Sequence, residues 1–98
     1  MTSIRTTPLG PGHFGVEIHE GDLVVNREVV VDGNLLDEMM LIDADPRAVA
    51  EETVEFLLQR HVAAELPDPV SIRNVDRMEP DYRDELTTRL ASRAGRFG

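Results

Sequence analysis

The chain has 98 residues and carries 19 Asp and Glu against 10 basic residues, a formal net charge of −9. All ten basic residues are Arg, and Cys and Trp are absent. This removes thiol nucleophiles, disulfides, Cys-ligated metals, Schiff-base lysines and the P-loop lysine. The length fits one domain, and an acid excess of this size repels phosphate backbones and anionic lipid.

Residues 1–12 read as a flexible N-terminal tail, because Pro8, Gly10, Pro11 and Gly12 interrupt regular structure. Phe14, Val16 and Ile18 then alternate with Gly15, Glu17 and His19, the period of a strand with one apolar face. Glu20-Gly21-Asp22 reads as a hairpin turn. Residues 23–31 form a Val-rich second strand, with Leu23, Val25, Val29 and Val31 on one face, interrupted by Arg27. A two-stranded sheet is marginal alone and needs helices on one face, with a second subunit pairing at its edge as a further source of support.

After the Asp32-Gly33 turn, Asn34 is the expected cap of a short helix over residues 35–40, with Asp37 at the third position. Asp45-Pro46 is a stronger start signal and opens a long helix over residues 46–64. Val49, Ala50, Thr53, Val54, Phe56, Leu57 and Leu58 share its apolar side, while Glu51, Glu52, Glu55 and Gln59 share the other. Leu66-Pro67-Asp68-Pro69 turns the chain. Ser71 is the expected cap of a short helix carrying Ile72 and Val75. Pro80 opens the last helix, with acids Asp81, Asp84 and Glu85 at its start and Arg89 and Arg93 at its end, a polarity that suits the helix dipole. Tyr82, Leu86 and Leu90 form its apolar stripe, and Gly95 is a fitting C-cap. The expectation is a single small α+β domain over residues 13–95, an N-terminal β-hairpin packed on three to four helices, with a C-terminal tail at 96–98.

Several of these features resemble a group of small uncharacterised bacterial proteins. They are the run Glu55-Phe56-Leu57-Leu58-Gln59-Arg60, then Ile72 and Val75, then Arg77-Met78-Glu79-Pro80-Asp81-Tyr82. The pairs Asn26-Arg27 and Leu35-Leu36 fall where the group has similar residues. The resemblance spans residues 23–90 and departs at Val70 and Glu79, where the group carries Phe-type residues. It implies a fold and assigns neither an activity nor a site.

Charge is unevenly placed. Residues 17–55 hold twelve acids and two Arg, a formal −10, whereas Arg89, Arg93 and Arg96 end the chain with no acid among them. The Arg residues of the last third are expected to pair with the acidic half, within the chain or between subunits. The absence of Lys fits either an Arg-favouring coding bias or a high-salt cytoplasm. The N-terminus lacks the basic and apolar regions of a secretory signal, so the cytoplasm is the expected location.

Candidate chemistry is sparse. His19, Glu20 and Asp22 at the hairpin tip, with His13 across the pair, offer ligand types for a divalent ion. Their spacing matches no zinc signature, and the tip reads better as a solvated turn. His61 falls on the apolar side of the long helix near its C-terminus and is the candidate pH-sensitive residue. Glu51, Glu52 and Glu55 read as a solvated face rather than a general acid–base pair. No Gly-x-Ser-x-Gly or phosphate-binding Gly loop is present. Candidate partner-binding residues are therefore Glu51, Glu52, Glu55, Met39, Met40, Arg89 and Arg93, Met being adaptable at binding surfaces.

The sequence thus points to a small acidic, non-enzymatic interaction module, accessory or regulatory, that binds a protein partner or a second copy of itself. It is expected to use no cofactor and to bind neither nucleic acid nor membrane. The alternatives are an acidic nucleic-acid mimic or antitoxin-like inhibitor of a basic partner, and then a small metal-dependent enzyme.

Overall fold

Alternating apolar residues produce the expected hairpin. β2 (His13–Glu20) and β3 (Leu23–Val30) pair antiparallel from Glu20 opposite Leu23 to His13 opposite Val30. Gly21 takes φ 62° at the first position of the two-residue loop, a backbone shape that L side chains resist. Phe14, Val16, Ile18, Val25 and Val29 are buried on one face. The structure, a computed structural model, describes residues 2–95. The expected C-terminal tail, with Arg96 and Phe97, lies outside the described residues.

The expected N-terminal tail is a strand instead. β1 (Thr2–Gly10) pairs antiparallel with β2 from Thr2 opposite Glu20, with a register shift between Pro8 and Gly10. Pro8 and Gly10 lie within the strand, and Pro11 and Gly12 form the turn that follows it. Gly12 has φ 72°, and a Cβ there would sit 2.8 Å from the Val31 carbonyl oxygen. Pro8 is tolerated because β1 lies at the sheet edge, where a missing N–H costs no ladder bond. β1 was hard to recognise because Ile4 and Thr6 are all that its inner face contributes to packing.

A two-residue strand, β4 (Val70–Ser71), runs parallel to β3 at Val29 and Val30. The sheet order is β1-β2-β3-β4, so the Val-rich strand expected at an edge is internal. The true edge at β1 is blunted by Pro8, by the register shift, and by Arg47, whose Nη2 donates to the Thr6 carbonyl at 2.8 Å.

Among the described residues four helices share one core with the buried face of the sheet. α1 (Gly33–Glu38) is capped by Asp32, whose Oδ1 accepts from the backbone N–H of Asn34, the expected cap, at 2.9 Å. α2 (Pro46–Leu58) starts as expected, with Asp45 as cap and Pro46 in the first turn. It ends at Leu58, about a turn and a half short of the expected boundary. Beyond it the chain bends back in a 3-10 turn at Ala63–Glu65, which buries Ala63 and Leu66. Arg27 Nε donates to the Leu66 carbonyl at 2.9 Å and holds this return. Tertiary packing here overrides a helical pattern that the sequence could have continued.

α3 (Ile72–Met78) begins after Ser71, whose backbone belongs to β4 and whose side chain makes no capping bond. α4 (Tyr82–Gly95) starts two residues after Pro80 and runs through Gly95, the expected cap. Tyr82 and Leu86 are buried and Leu90 half-buried, as the four-residue stripe requires. Tyr82 packs edge-on against Phe56, ring centroids 5.3 Å apart. Its hydroxyl lies 2.7 Å from Thr53 Oγ1, which donates in turn to the Val49 carbonyl. The whole is the α+β single domain that the sequence predicts.

Candidate functional site

The acids and arginines singled out as partner-binding residues meet each other. α2 and α4 pack antiparallel, which brings the acidic N-terminal half of one to the basic C-terminal half of the other. Arg93 donates to Glu51 at 2.7 Å and to Glu52 at 3.2 Å, and Arg89 reaches Glu52 at 3.5 Å. At the other end of the pair Arg60 bonds Asp81 and lies over the Phe56 ring, 4.0 Å from its centroid. Burial raises the Glu51 pKa, but the hydrogen bond from Arg93 and the charges of Arg93 and Arg47 outweigh it and leave the carboxyl below its usual range. Glu55 goes the other way: burial, then the neighbouring Glu52 charge, hold it above. Glu51, Glu52, Glu55, Arg89 and Arg93 line an open hollow of about 620 Å³ beside Ile4.

A second set of ion pairs ties α1 to α3 and α4. Arg73 donates to Asp32 at 2.6 Å and to Glu38 at 3.1 Å, and Arg83 grips Asp76 through two bonds of 2.8 and 2.9 Å. The Arg73 bond holds Asp32 below the usual carboxylate range, and the Arg83 bond does the same for Asp76. The split charge of the sequence is largely consumed within the fold.

The histidines do not converge. His13 and His19 sit towards opposite ends of β2, so His13 does not lie across from the tip. His13 Nδ1 is 2.6 Å from Glu28, and His19 Nε2 is 2.6 Å from Glu17. No group of three or more His, Asp and Glu is placed to share a metal ion among the described residues. His61 is not on the apolar side of a helix, because α2 has already ended. It is exposed, 3.6 Å from Glu79, at the mouth of a small apolar hollow of about 170 Å³ floored by Leu57, Leu66 and Val75.

The structure divides the Met pair. Met39 is half-buried against the core, whereas Met40 is 86% exposed and Ile42, two residues on, is 74% exposed. The cause lies in how α1 ends. Met39 is the C-cap; the Met40 N–H bonds the Asp37 carbonyl at 3.0 Å, and the Leu41 N–H bonds the Leu36 carbonyl at 2.8 Å. This is the Schellman arrangement, which places one residue in the left-handed region and usually assigns it to Gly. Here that residue is Met40, φ 60°. Leu36 and Leu41, the residues whose apolar contact usually accompanies the motif, are buried and half-buried.

Met40, Leu41, Ile42 and Ala44 face Thr87, Leu90 and Ala91 of α4 across an open groove of about 400 Å³. The chain therefore spends both backbone strain and apolar exposure at one point of its surface. Ile42 was missed in the sequence, although four apolar residues in a row, Met39 to Ile42, directly after a short helix were its signal. No helix among the described residues is long and apolar enough to cross a membrane. The chain matches no family model, no curated protein and no solved structure.

Proposed function

We propose that the chain is a small acidic protein-interaction module, accessory or regulatory and non-enzymatic, that works in the cytoplasm by docking a partner on the surface formed by Met40 and Ile42. The observation that carries this reading is Met40. A residue held in the left-handed region costs roughly 1 kcal/mol or more relative to Gly. An exposed Met gives the monomer no packing energy in return. Buried under a partner, the same side chain would contribute about 1.5–3 kcal/mol, enough to offset the strain. The non-enzymatic part is supported by the two ion-pair clusters, in which Asp32, Glu51, Glu52 and Asp76 are each held by an Arg.

The test is affinity capture with the wild-type chain and with a Met40→Ser/Ile42→Ser variant, both first shown to be equally folded by circular dichroism. A binding protein, or a second copy, should be retained by the wild type and lost by the variant. A partner kept equally by both places the docking surface elsewhere. A partner that survives the double substitution but dissociates as salt rises would support the nucleic-acid-mimic reading instead.

A further inference from the structure

We infer that the occupant of the Met40–Ile42 groove is a basic amphipathic helix, with apolar side chains toward the groove and Arg or Lys along its flanks. This rests on the docking role proposed above and adds the chemistry of the partner. Three observations combine.

The first is shape. The groove runs beside α4, and its α4 wall and inner end present Thr87, Ala91 and Ala44, side chains small enough to let another backbone approach. A helix laid in such a groove meets it with residues spaced three and four apart. The second is chemistry. Met40 and Ile42 project beside the half-buried Leu90, and Met is the side chain that best adapts to varied apolar partners.

The third is charge. Asp43 lines the groove, Asp84 lies one turn before Thr87 on the same side of α4, and Asp37 is three residues before Met40 in the chain. None of the three has an ion-pair partner among the described residues, whereas nearby Glu38 is held by Arg73 and Arg83. An apolar strip with unpaired acids around it, on a chain of net charge −9, matches a partner of the opposite sign and disfavours a second copy of the same acidic surface.

Two synthetic helical peptides supply the test. One carries Leu at positions i, i+3 and i+7 with Arg on both flanks. The other is identical except that every Arg is Glu. Each is titrated into 15N-labelled chain. The Arg peptide is expected to bind and to shift the amides of residues 40–44, 87, 90 and 91. Ile42→Ser, an exposed substitution that leaves the core intact, should weaken it by about tenfold, the loss of one buried apolar contact. Asp43→Asn/Asp84→Asn should weaken it several-fold and flatten its dependence on salt. The Glu peptide should not bind.

Equal binding of the two peptides overturns the proposal. So do shifts that map to the Glu51–Arg93 hollow or to the open sheet face. If neither peptide binds, and the chain's own amides at residues 40–44 move with protein concentration, the occupant is a second copy. The basic-helix proposal then fails while the interaction reading stands. If neither peptide binds and nothing moves, the proposal fails, and the capture experiment alone decides the wider reading.

Discussion

Replacing Met40 should separate stability from binding. Met40→Gly removes the left-handed strain at the C′ position of α1, and Met40→Ala keeps it, since Ala still carries a Cβ. Both delete the same exposed side chain, so the difference between them isolates the backbone. That difference should be about 1 kcal/mol in favour of Gly: the left-handed strain of about 1–2 kcal/mol, less the roughly 0.4–1 kcal/mol by which Gly makes the unfolded chain more flexible. The same balance holds against the wild type, which carries the same strain as the Ala variant. For a domain of this size the Gly–Ala gap corresponds to a Tm difference of about 4–8 °C, measured by thermal and urea unfolding at 222 nm. Both variants should bind the Arg-flanked peptide more weakly than wild type. A Met40→Ala chain as stable as Met40→Gly would refute the argument, because the strain would then be absent. A wild type more stable than both would mean that Met40 already packs usefully in the monomer.

Other substitutions test the core and the ion pairs. Thr53 Oγ1 donates to the Val49 carbonyl, so the Tyr82 hydroxyl is the donor to Thr53. Thr53→Val strands that buried hydroxyl and should cost about 1–3 kcal/mol, whereas Tyr82→Phe should cost nearer 1, and the double variant less than the sum. Tyr82 is the chain's single Tyr and Trp is absent, so absorbance at 295 nm follows one group. Burial pushes its phenol well above 10.0. Stability is then complete below pH 10 and is lost as pH rises toward the folded value, with ionisation and unfolding observed together. Gly12→Ala should destabilise by roughly 1–2 kcal/mol or more, since the Val31 carbonyl blocks the new Cβ and φ is positive. Glu52→Gln should cost about 1.5–3 kcal/mol by breaking two largely buried Arg contacts, while Glu55→Gln should be neutral or slightly stabilising at pH 7. Asp32, Glu51 and Asp76 lie below their ordinary values of 3.8, 4.5 and 3.8. Their contribution is present above those values, so urea resistance should fall as pH drops below about 4.5.

Elements with a strong local signal were legible in the sequence. The β2–β3 hairpin follows from alternation and from Gly21, the start of α2 from Asp45-Pro46, and the α4 stripe from Tyr82, Leu86 and Leu90. What escaped depends on distant partners. β1 contributes only Ile4 and Thr6 to its inner face, and its strand character comes from the backbone of β2. β4 is two residues long and exists because Val29 and Val30 offer a free edge. The end of α2 is set by Arg27, some forty residues earlier, holding the carbonyls of Ala64 and Leu66. His61 changed its surroundings for that reason alone. At the candidate site Met40 was legible as an adaptable apolar residue, but its exposure was not, because the usual signal for a helix end is Gly and here it is absent.

The same long-range packing decides what the net charge means. The acids of residues 17–55 and the arginines of the last third would be separate patches if α2 and α4 ran parallel. Antiparallel packing instead lays Arg89 and Arg93 against Glu51 and Glu52, and Asp81 against Arg60. Each helix thereby neutralises part of the other's charge. Of the acids without an ion pair among the described residues, Asp43 lines the groove where Met40 and Ile42 stay uncovered, and Asp37 and Asp84 each lie three residues before a residue of that groove. A uniformly acidic surface would favour solubility and nothing more. Unpaired charge that coincides with backbone strain and exposed apolar area gives the surface a direction, and that coincidence, rather than the total of −9, is what argues for a partner.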